Sequence, residues 1–196
     1  MDDLRAAVMR LQRAAWAVRR GSRVPCRLPF ALVLMTDEAC QPDPAAAISR
    51  LPRMPALIVF RHYRTPRAER ARLAAAAGAV ARAAGHGFVV AGGGGDGGHN
   101  ARGSGRPALV SVSVHDLAEH AGKRLLGADL ALVSPVFATA SHPGARGLGP
   151  ARAASLAARL PMPSFALGGV TPGTARSLIG TPFQGIATLS GWRDAG

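Results

Sequence analysis

Short apolar runs alternate with segments of helical periodicity along most of this chain. Runs rich in Val, Leu, Ile or Phe occur at 30–37, 56–63 and 86–92, and further runs follow from residue 110 onward. Between them, apolar residues recur at helical spacing, most clearly over 65–85. Strands that alternate with helices are typical of parallel βαβ units, so the pattern predicts an α/β protein.

The number of strands favours a closed barrel over an open, doubly wound sheet. A short strand near 97–100 brings the number of strands to eight, which predicts a compact (β/α)₈ TIM barrel in a single domain over 1–196. Gly and polar residues fill 92–105, so we expect a loop there that replaces a βα unit. Helices are expected at 42–52, 65–85, 116–126, 150–160 and 172–180, with one or two outer helices missing or shortened.

An additional helix is predicted over residues 1–22, before the first strand. Apolar residues recur there at helical spacing, with arginines elsewhere around the helix: Leu4, Val8, Leu11, Ala15 and Val18. Few residues follow the eighth strand, which leaves no room for a full closing helix. We therefore expect the N-terminal helix to cover that gap, and detachment of residues 3–20 from the barrel would contradict this.

The formal net charge of +13 raises the possibility of nucleic-acid binding. The arginines are spread along the chain and aromatic residues make up only 5%, so few side chains could stack on bases. We expect no specific nucleic-acid binding, and a positive field that favours phosphorylated small substrates instead. No long uncharged apolar run indicates a membrane span. Two cysteines without metal-ligand spacing are typical of a reducing cytoplasm, where we place the protein.

The candidate chemistry is concentrated at the ends of the last strands. The segments 110–116, 130–149, 165–173 and 185–192 each begin with apolar residues and end in small, hydroxylated or imidazole side chains. In a (β/α)₈ barrel these ends meet at one mouth, where phosphate often binds after the last two strands. The pattern predicts a phosphate-ester site.

These segments, together with LVLMTD near the start, resemble the thiamine phosphate synthase and thiazole tautomerase (TenI-like) superfamily. The resemblance covers about 31–192 and is most specific from Ser111 onward, where several motifs occur in order. It implies a barrel that acts on a thiazole phosphate. It also implies His115 as the imidazole that carries a proton, since an ordinary imidazole pKa of about 6.5 suits proton transfer near neutrality.

The resemblance further implies the substrate- and phosphate-binding residues. These are the basic residue that ends the second strand, the hydroxyl-rich loop after the sixth strand, and the amide-rich turns after the seventh and eighth strands: Arg61, Thr139, Ser141, His142, Gly149, Gly168, Gly169, Ser190 and Gly191. His142 stands where lysine is usual. Backbone amides at such turns are preorganised donors for an anion. Arg61 requires an anionic partner, either Asp37 or a substrate phosphate.

At most of the positions that bind the metal ion and pyrophosphate in the family, this chain carries different residues. Of three pyrophosphate-gripping positions, the chain keeps Arg61 but has Val59 and Tyr63 at the other two. The carboxylates that hold Mg²⁺ in the synthase fall within 92–105, where Asp96 stands alone. We therefore assign no metal ligands and expect Mg²⁺ only if synthase activity is retained.

Three functions follow from the sequence. The first is a thiazole tautomerase, and the second is a thiamine phosphate synthase with altered pyrophosphate handling. The third is a barrel without catalysis that senses a phosphorylated ligand. In each case the ligand is a small phosphorylated thiazole or pyrimidine, and a homodimer is one possible assembly. We expect His62, Arg64 and His99 to lie at the rim.

Overall fold

The computed structural model describes residues 3–93, 97–101, 109–123, 127–139 and 147–193. Eight parallel strands pair in chain order and close into a barrel, with the last strand paired to the first. The strands are β1 Leu32–Met35, β2 Leu57–Phe60, β3 Gly87–Ala91, β4 Gly97–His99, β5 Leu109–Val114, β6 Leu130–Val133, β7 Ser164–Ala166 and β8 Ile186–Thr188. The helices are α1 Asp3–Gly21, α2 Pro44–Ser49, α3 Arg67–Ala83, α4 Leu117–Lys123 and α5 Pro150–Ala158. The predicted (β/α)₈ barrel is confirmed.

Alternation along the strands separates two buried apolar layers. One layer, which includes Val33, Val59, Leu132 and Phe165, contains no helix residue and fills the barrel interior. The other joins the outward side chains of the same strands to the helices. Because both faces of β1, β2 and β6 are buried, these strands are continuous apolar runs in the sequence.

Helix α1 packs on the barrel beside β1 and β8, where the closing helix was expected to be absent. Its apolar stripe is buried, and Trp192, just after β8, belongs to the same core. Arg19 fastens the helix further by donating to the carbonyls of Gln184 (2.8 Å), Leu28 (2.7 Å) and Phe30. The prediction that α1 covers this gap is confirmed. No helix in the described ranges is long and apolar enough to cross a membrane.

The short strand predicted near 97–100 is confirmed, so a loop does not occupy the whole of the Gly-rich segment 92–105. Gly97–His99 forms β4, paired with β3 and β5. Gly97 has no room for a side chain, because a Cβ there would lie 2.2 Å from the Leu109 carbonyl oxygen. Only 92–96 connect β3 to β4, which is shorter than the usual helical crossover.

The last predicted helix, 172–180, is instead a short 3₁₀ helix at Thr174–Leu178. Pro172 and Gly173 precede it, Ile179 returns to extended backbone, and Gly180 adopts a φ of 84°. These residues leave space for little more than one turn. By contrast, the predicted helix at 42–52 begins with a side-chain cap, since Asp43 accepts a hydrogen bond from the Ala46 amide at 3.0 Å.

Candidate functional site at the barrel mouth

All eight strands run parallel, so their carboxyl ends open at one mouth. Most predicted site residues follow these ends: Arg61 after β2, His115 after β5, Thr139 after β6, the Gly168–Gly169 pair after β7, and Ser190–Gly191 after β8. Ser141 and His142 lie outside the described residues. The topology therefore places the predicted residues it describes at the same end of the barrel.

His115 has an exposed imidazole whose orientation is fixed by the strand next to it. Its Nδ1 lies 2.6 Å from the carbonyl oxygen of Ser134 and 3.3 Å from the Ser134 hydroxyl. A carbonyl oxygen only accepts, so Nδ1 carries the hydrogen and donates it. In the neutral ring, Nε2 is then the basic nitrogen.

The backbone of His115 is held by the start of α4. The His115 amide donates to the Glu119 carboxylate at 2.7 Å, and Asp116 accepts from the Glu119 amide at 2.7 Å. This reciprocal pattern is close to a capping box, which fixes a helix N-terminus. The local sequence HDLAE thus positions the imidazole through its own helix cap.

The loop after β6 connects His115 to the glycine pair after β7. Phe137 donates to the Gly168 carbonyl at 3.0 Å. Gly168 and Gly169 have φ values of 91° and 63°, and Cβ atoms there would lie 2.8 Å from Pro135 and 2.3 Å from the Ala138 oxygen. Only glycine fits so close to this loop in such a conformation.

The amides of Gly168 and Gly169 donate to no acceptor among the described residues. Consecutive amides in a turn of this kind form a concave site for an anion. The geometry is therefore compatible with the predicted phosphate contact, which remains a prediction.

Gly149 and Thr139 have different surroundings. The Gly149 amide donates to the Val136 carbonyl at 2.9 Å, and its φ of 77° begins α5 ahead of Pro150. Gly149 therefore shapes the β6 loop through its backbone, and its predicted phosphate contact is untested. Thr139 is half-buried at the end of the described part of that loop.

The turn after β8 is closed by an internal hydrogen bond. Gly191 donates its amide to the Thr188 hydroxyl at 3.1 Å. Ser190 and Gly191 are exposed. An anion at this turn would have to meet the Ser190 groups or compete with Thr188 for the Gly191 amide.

Arg61 is half-buried after β2 and has no carboxylate partner in the described residues. Its amide donates to the Thr36 hydroxyl at 3.1 Å, and its guanidinium lies 5.3 Å from the centre of the Tyr63 ring. Asp37, the alternative partner, accepts instead from the Ala39 amide. A substrate anion therefore remains the predicted partner of Arg61.

A polar network at the ends of β4 and β5 was missed by the sequence analysis. His99 is buried, with Nδ1 2.9 Å from the Ser111 hydroxyl and Nε2 3.2 Å from that of Ser113. Asn100 accepts from the Ser113 amide at 2.7 Å. The signal was the alternation in VSVSV, which directs the serines to one side of β5 and the valines to the other.

The prediction that His62 and His99 lie at the rim is wrong, because both are buried. His62 stacks on Phe60 with ring centres 4.5 Å apart, and neither ring nitrogen has a partner in the described part of the chain. Burial lowers the pKa of His62, and nearby Glu38 and Asp37 oppose this effect. Arg64 is exposed and pairs with Glu38 at 3.1 Å.

The described carboxylates do not fit a Mg²⁺ site. Within the described ranges no group of three or more His, Cys, Asp or Glu side chains could hold a metal ion. Glu38 pairs with Arg64, and one oxygen each of Asp37 and Asp116 accepts a backbone amide. Asp96 lies outside the described residues. We therefore derive no step through a metal.

The fold and this mouth define a (β/α)₈ barrel with an amide-rich turn and a fixed imidazole. Residues 99–192 match the family described as thiamine monophosphate synthase. A curated protein of Aquifex aeolicus (strain VF5), "Putative thiamine-phosphate synthase 2", is 34% identical over 84 residues. That match covers 42% of this chain and 44% of the relative, so it spans less than half of the relative's length. The family match covers just under half of this chain, so these comparisons show a similarity to thiamine monophosphate synthases over residues 99–192.

Solved structures agree on the fold. A thiamine phosphate pyrophosphorylase from Pyrococcus furiosus has a TM-score of 0.64 at 21% identity, over 81% of this chain and 85% of that one. A structure described as "Native KDPGal structure" has a TM-score of 0.50 at 16% identity, over 85% and 84% of the two chains. At these identities the likeness concerns the barrel alone.

Proposed function

We propose that this protein acts in thiamine biosynthesis as a thiazole tautomerase, binding a thiazole phosphate at the barrel mouth. The observation that carries the proposal is the contact between His115 Nδ1 and the Ser134 carbonyl, at 2.6 Å. It leaves Nε2 as the basic atom of an exposed imidazole. The same loop after β6 packs against the glycine pair that we propose as the phosphate anchor.

In the proposed reaction, Nε2 of His115 removes a proton from one carbon of the thiazole and returns it to another. The transfer between a ring carbon and an exocyclic carbon is an isomerisation, so it consumes no co-substrate. The amides of Gly168 and Gly169 would hold the phosphate and fix the ring relative to the imidazole. A positioned acid–base residue contributes about 10²–10⁴-fold to such a rate.

A second candidate is the synthase reaction, which joins a pyrimidine carbon to the thiazole nitrogen as diphosphate departs. The names of the matched family and of the Aquifex relative favour it. The described carboxylates give that reaction no evident metal site. For this reason we place tautomerisation first.

The test compares His115→Asn with Ser134→Ala, measuring turnover of thiazole phosphate and its binding separately. Asparagine keeps a similar volume without a basic nitrogen, so turnover should fall by about 10²–10⁴-fold with binding retained. Alanine at position 134 removes the hydroxyl but keeps the carbonyl that fixes Nδ1. Ser134→Ala should therefore retain turnover within about fivefold, since a bond to a neutral hydroxyl contributes only about 1 kcal/mol.

Unchanged turnover in His115→Asn would remove the assignment of His115. Diphosphate release from the activated pyrimidine that requires Mg²⁺ and thiazole phosphate would replace the tautomerase with the synthase. Saturable binding of thiazole phosphate without either reaction would leave a ligand sensor.

A further inference from the structure

A cleft of about 760 Å³ lies outside the barrel, between α3 and the outward side of β3. It is separate from the proposed thiazole phosphate site, whose residues do not line it. Helix α3 and β3, with the turn after it, form the walls, and Tyr63 and Thr65 complete one end. The volume is within the range of small-molecule sites.

The cleft follows from two features of the sequence. Small side chains face it from α3 at helical spacing, namely Ala71, Ala74 and Ala75, so this face of the helix leaves the space open. In addition, only 92–96 connect β3 to β4, which is too short for the helix that usually covers the outside of a barrel at this point. The cleft thus lies where a neighbouring helix would pack in a complete barrel.

Hydrogen-bond donors gather at one end of the cleft. They are the hydroxyls of Tyr63 and Thr65, the guanidinium of Arg67 and the Nη1 of Arg70. None of these groups donates to another described residue. The end is therefore rich in donors that a ligand could use.

Arg70 is held in place before any ligand arrives. Its Nε donates to the carbonyls of Arg61 and His62 at 3.2 and 3.1 Å. Its Nη2 donates to those of Arg61 and Ala91 at 3.0 and 2.6 Å. A side chain fixed in this way loses little further entropy when Nη1 binds an anion.

The rest of the cleft is lined mainly by apolar residues, and every charged residue among the described lining is an arginine. Phe88 and Val90 line it beside the alanines, and Arg82 lies toward the C-terminal end of α3. No carboxylate is present among the described lining residues. An anion with an apolar body matches both properties.

We propose that this cleft binds a small amphiphilic anion. Its carboxylate or phosphate would face Arg67 and Arg70, and its apolar body would lie over Ala71, Ala74 and Phe88. A second copy of the chain is a poor occupant, because two molecules with a net charge of +13 repel each other. The proposal is independent of the thiazole site.

The experiment is calorimetric titration of the full chain with decanoate, which has an anionic head and an apolar body. We expect saturable binding at one site. Arg67→Glu should weaken binding at least tenfold, and Ala71→Trp, which fills the cleft, should abolish it. The matched controls are Arg72→Glu and Ala76→Trp, which change exposed residues of α3 that do not line the cleft. Both controls should bind as the unmodified chain does, and circular dichroism should show all four variants folded.

Three outcomes would overturn the proposal. The first is the absence of saturable decanoate binding. The second is equal loss in Arg72→Glu and Arg67→Glu, which would mean that net charge alone attracts the anion. The third is retained binding in a folded Ala71→Trp variant. If an acidic helical peptide bound where decanoate did not, the cleft would be a protein-docking surface instead.

Discussion

At the residue scale, the loop after β6 fixes groups at the ends of both neighbouring strands, β5 and β7. The Ser134 carbonyl sets the tautomer of His115, while Pro135 and Ala138 approach Gly168 and Gly169 so closely that no Cβ fits. Both effects come from the loop after β6. A change in this loop should therefore affect the imidazole and the proposed phosphate anchor together.

The glycine pair allows a matched test, because Gly127 has the same φ of 63° as Gly169 but nothing within 4 Å of a built Cβ. Gly127→Ala should reduce the free energy of unfolding by about 1–2 kcal/mol, the cost of left-handed backbone for alanine. Gly169→Ala should lose about 1–3 kcal/mol more, because its methyl meets the Ala138 oxygen. Urea denaturation measures both values.

Binding of thiazole phosphate distinguishes the two variants further. Gly169→Ala displaces the proposed amide cradle and should weaken binding, whereas Gly127→Ala should not. Equal stability losses, or unchanged binding in Gly169→Ala, would contradict this account of the loop.

At the element scale, α1 takes the structural role of a closing helix. Its stripe is buried against β1 and β8, and Gln12 donates to the carbonyls of Met54 and Pro55 ahead of β2. Because α1 contacts both the first and the last strand, it stabilises the seam where the barrel closes. We expect its packing to contribute to the stability of the whole barrel.

Leu11→Ala tests this role, because Leu11 is buried in the middle of the stripe. The lost contacts and the resulting cavity should lower the free energy of unfolding by about 2–5 kcal/mol. Arg13→Ala, an exposed change on the same helix, should stay within about 0.5 kcal/mol of the unmodified chain. Similar losses in both variants, measured by chemical denaturation, would show that α1 is not packed as described.

The elements differed in how well the sequence predicted them. Strands such as β2 were evident, because a strand that is buried on both faces consists of consecutive apolar residues. Strand β4 was ambiguous, since Gly97 and Gly98 carry no apolar signal and are selected by close contacts with the carbonyl oxygens of Leu109 and Ala101. The length of the last helix was overestimated, because it begins only at Thr174 and Ile179 already has extended backbone.

At the scale of the whole molecule, the chain contains histidines in its packed layers without partners for their nitrogens. Burial lowers the pKa of His86 and is the main cause of the lowered pKa of His62. Neither has a hydrogen-bond partner in the described ranges. Protonation of either ring therefore opposes folding.

Stability should consequently depend on pH with a definite sign. Below an ordinary imidazole pKa of about 6.5 the unfolded chain binds more protons than the folded one, so stability decreases as the pH falls from there toward the lowered folded pKa. Above about pH 6.5 this contribution is fully present. His86→Leu removes one of the two groups and should flatten the dependence of Tm between pH 7.5 and 5. An unchanged slope in that variant would contradict the argument.

The location of His115 and of the glycine pair at strand ends was predictable, because each directly follows an apolar strand in the sequence, while their roles stay predictions. Sequence could not show that the Gly191 amide is occupied by Thr188, because that bond depends on how the turn closes. Nor could it show that His62 is buried against Phe60, since its backbone φ of 36° is set by the turn after β2. The sequence thus predicts which residues follow a strand end, whereas the hydrogen bonds that their donor groups make depend on the folded structure.

The central claim is that this barrel keeps a thiazole phosphate site and moves a proton there with His115. The most direct measurement is proton NMR of thiazole phosphate in D₂O with the protein and a chelator present. The account predicts catalysed exchange of the carbon-bound proton, unaffected by the chelator and lost in His115→Asn. Saturable binding without exchange, or exchange that persists in His115→Asn, would contradict it.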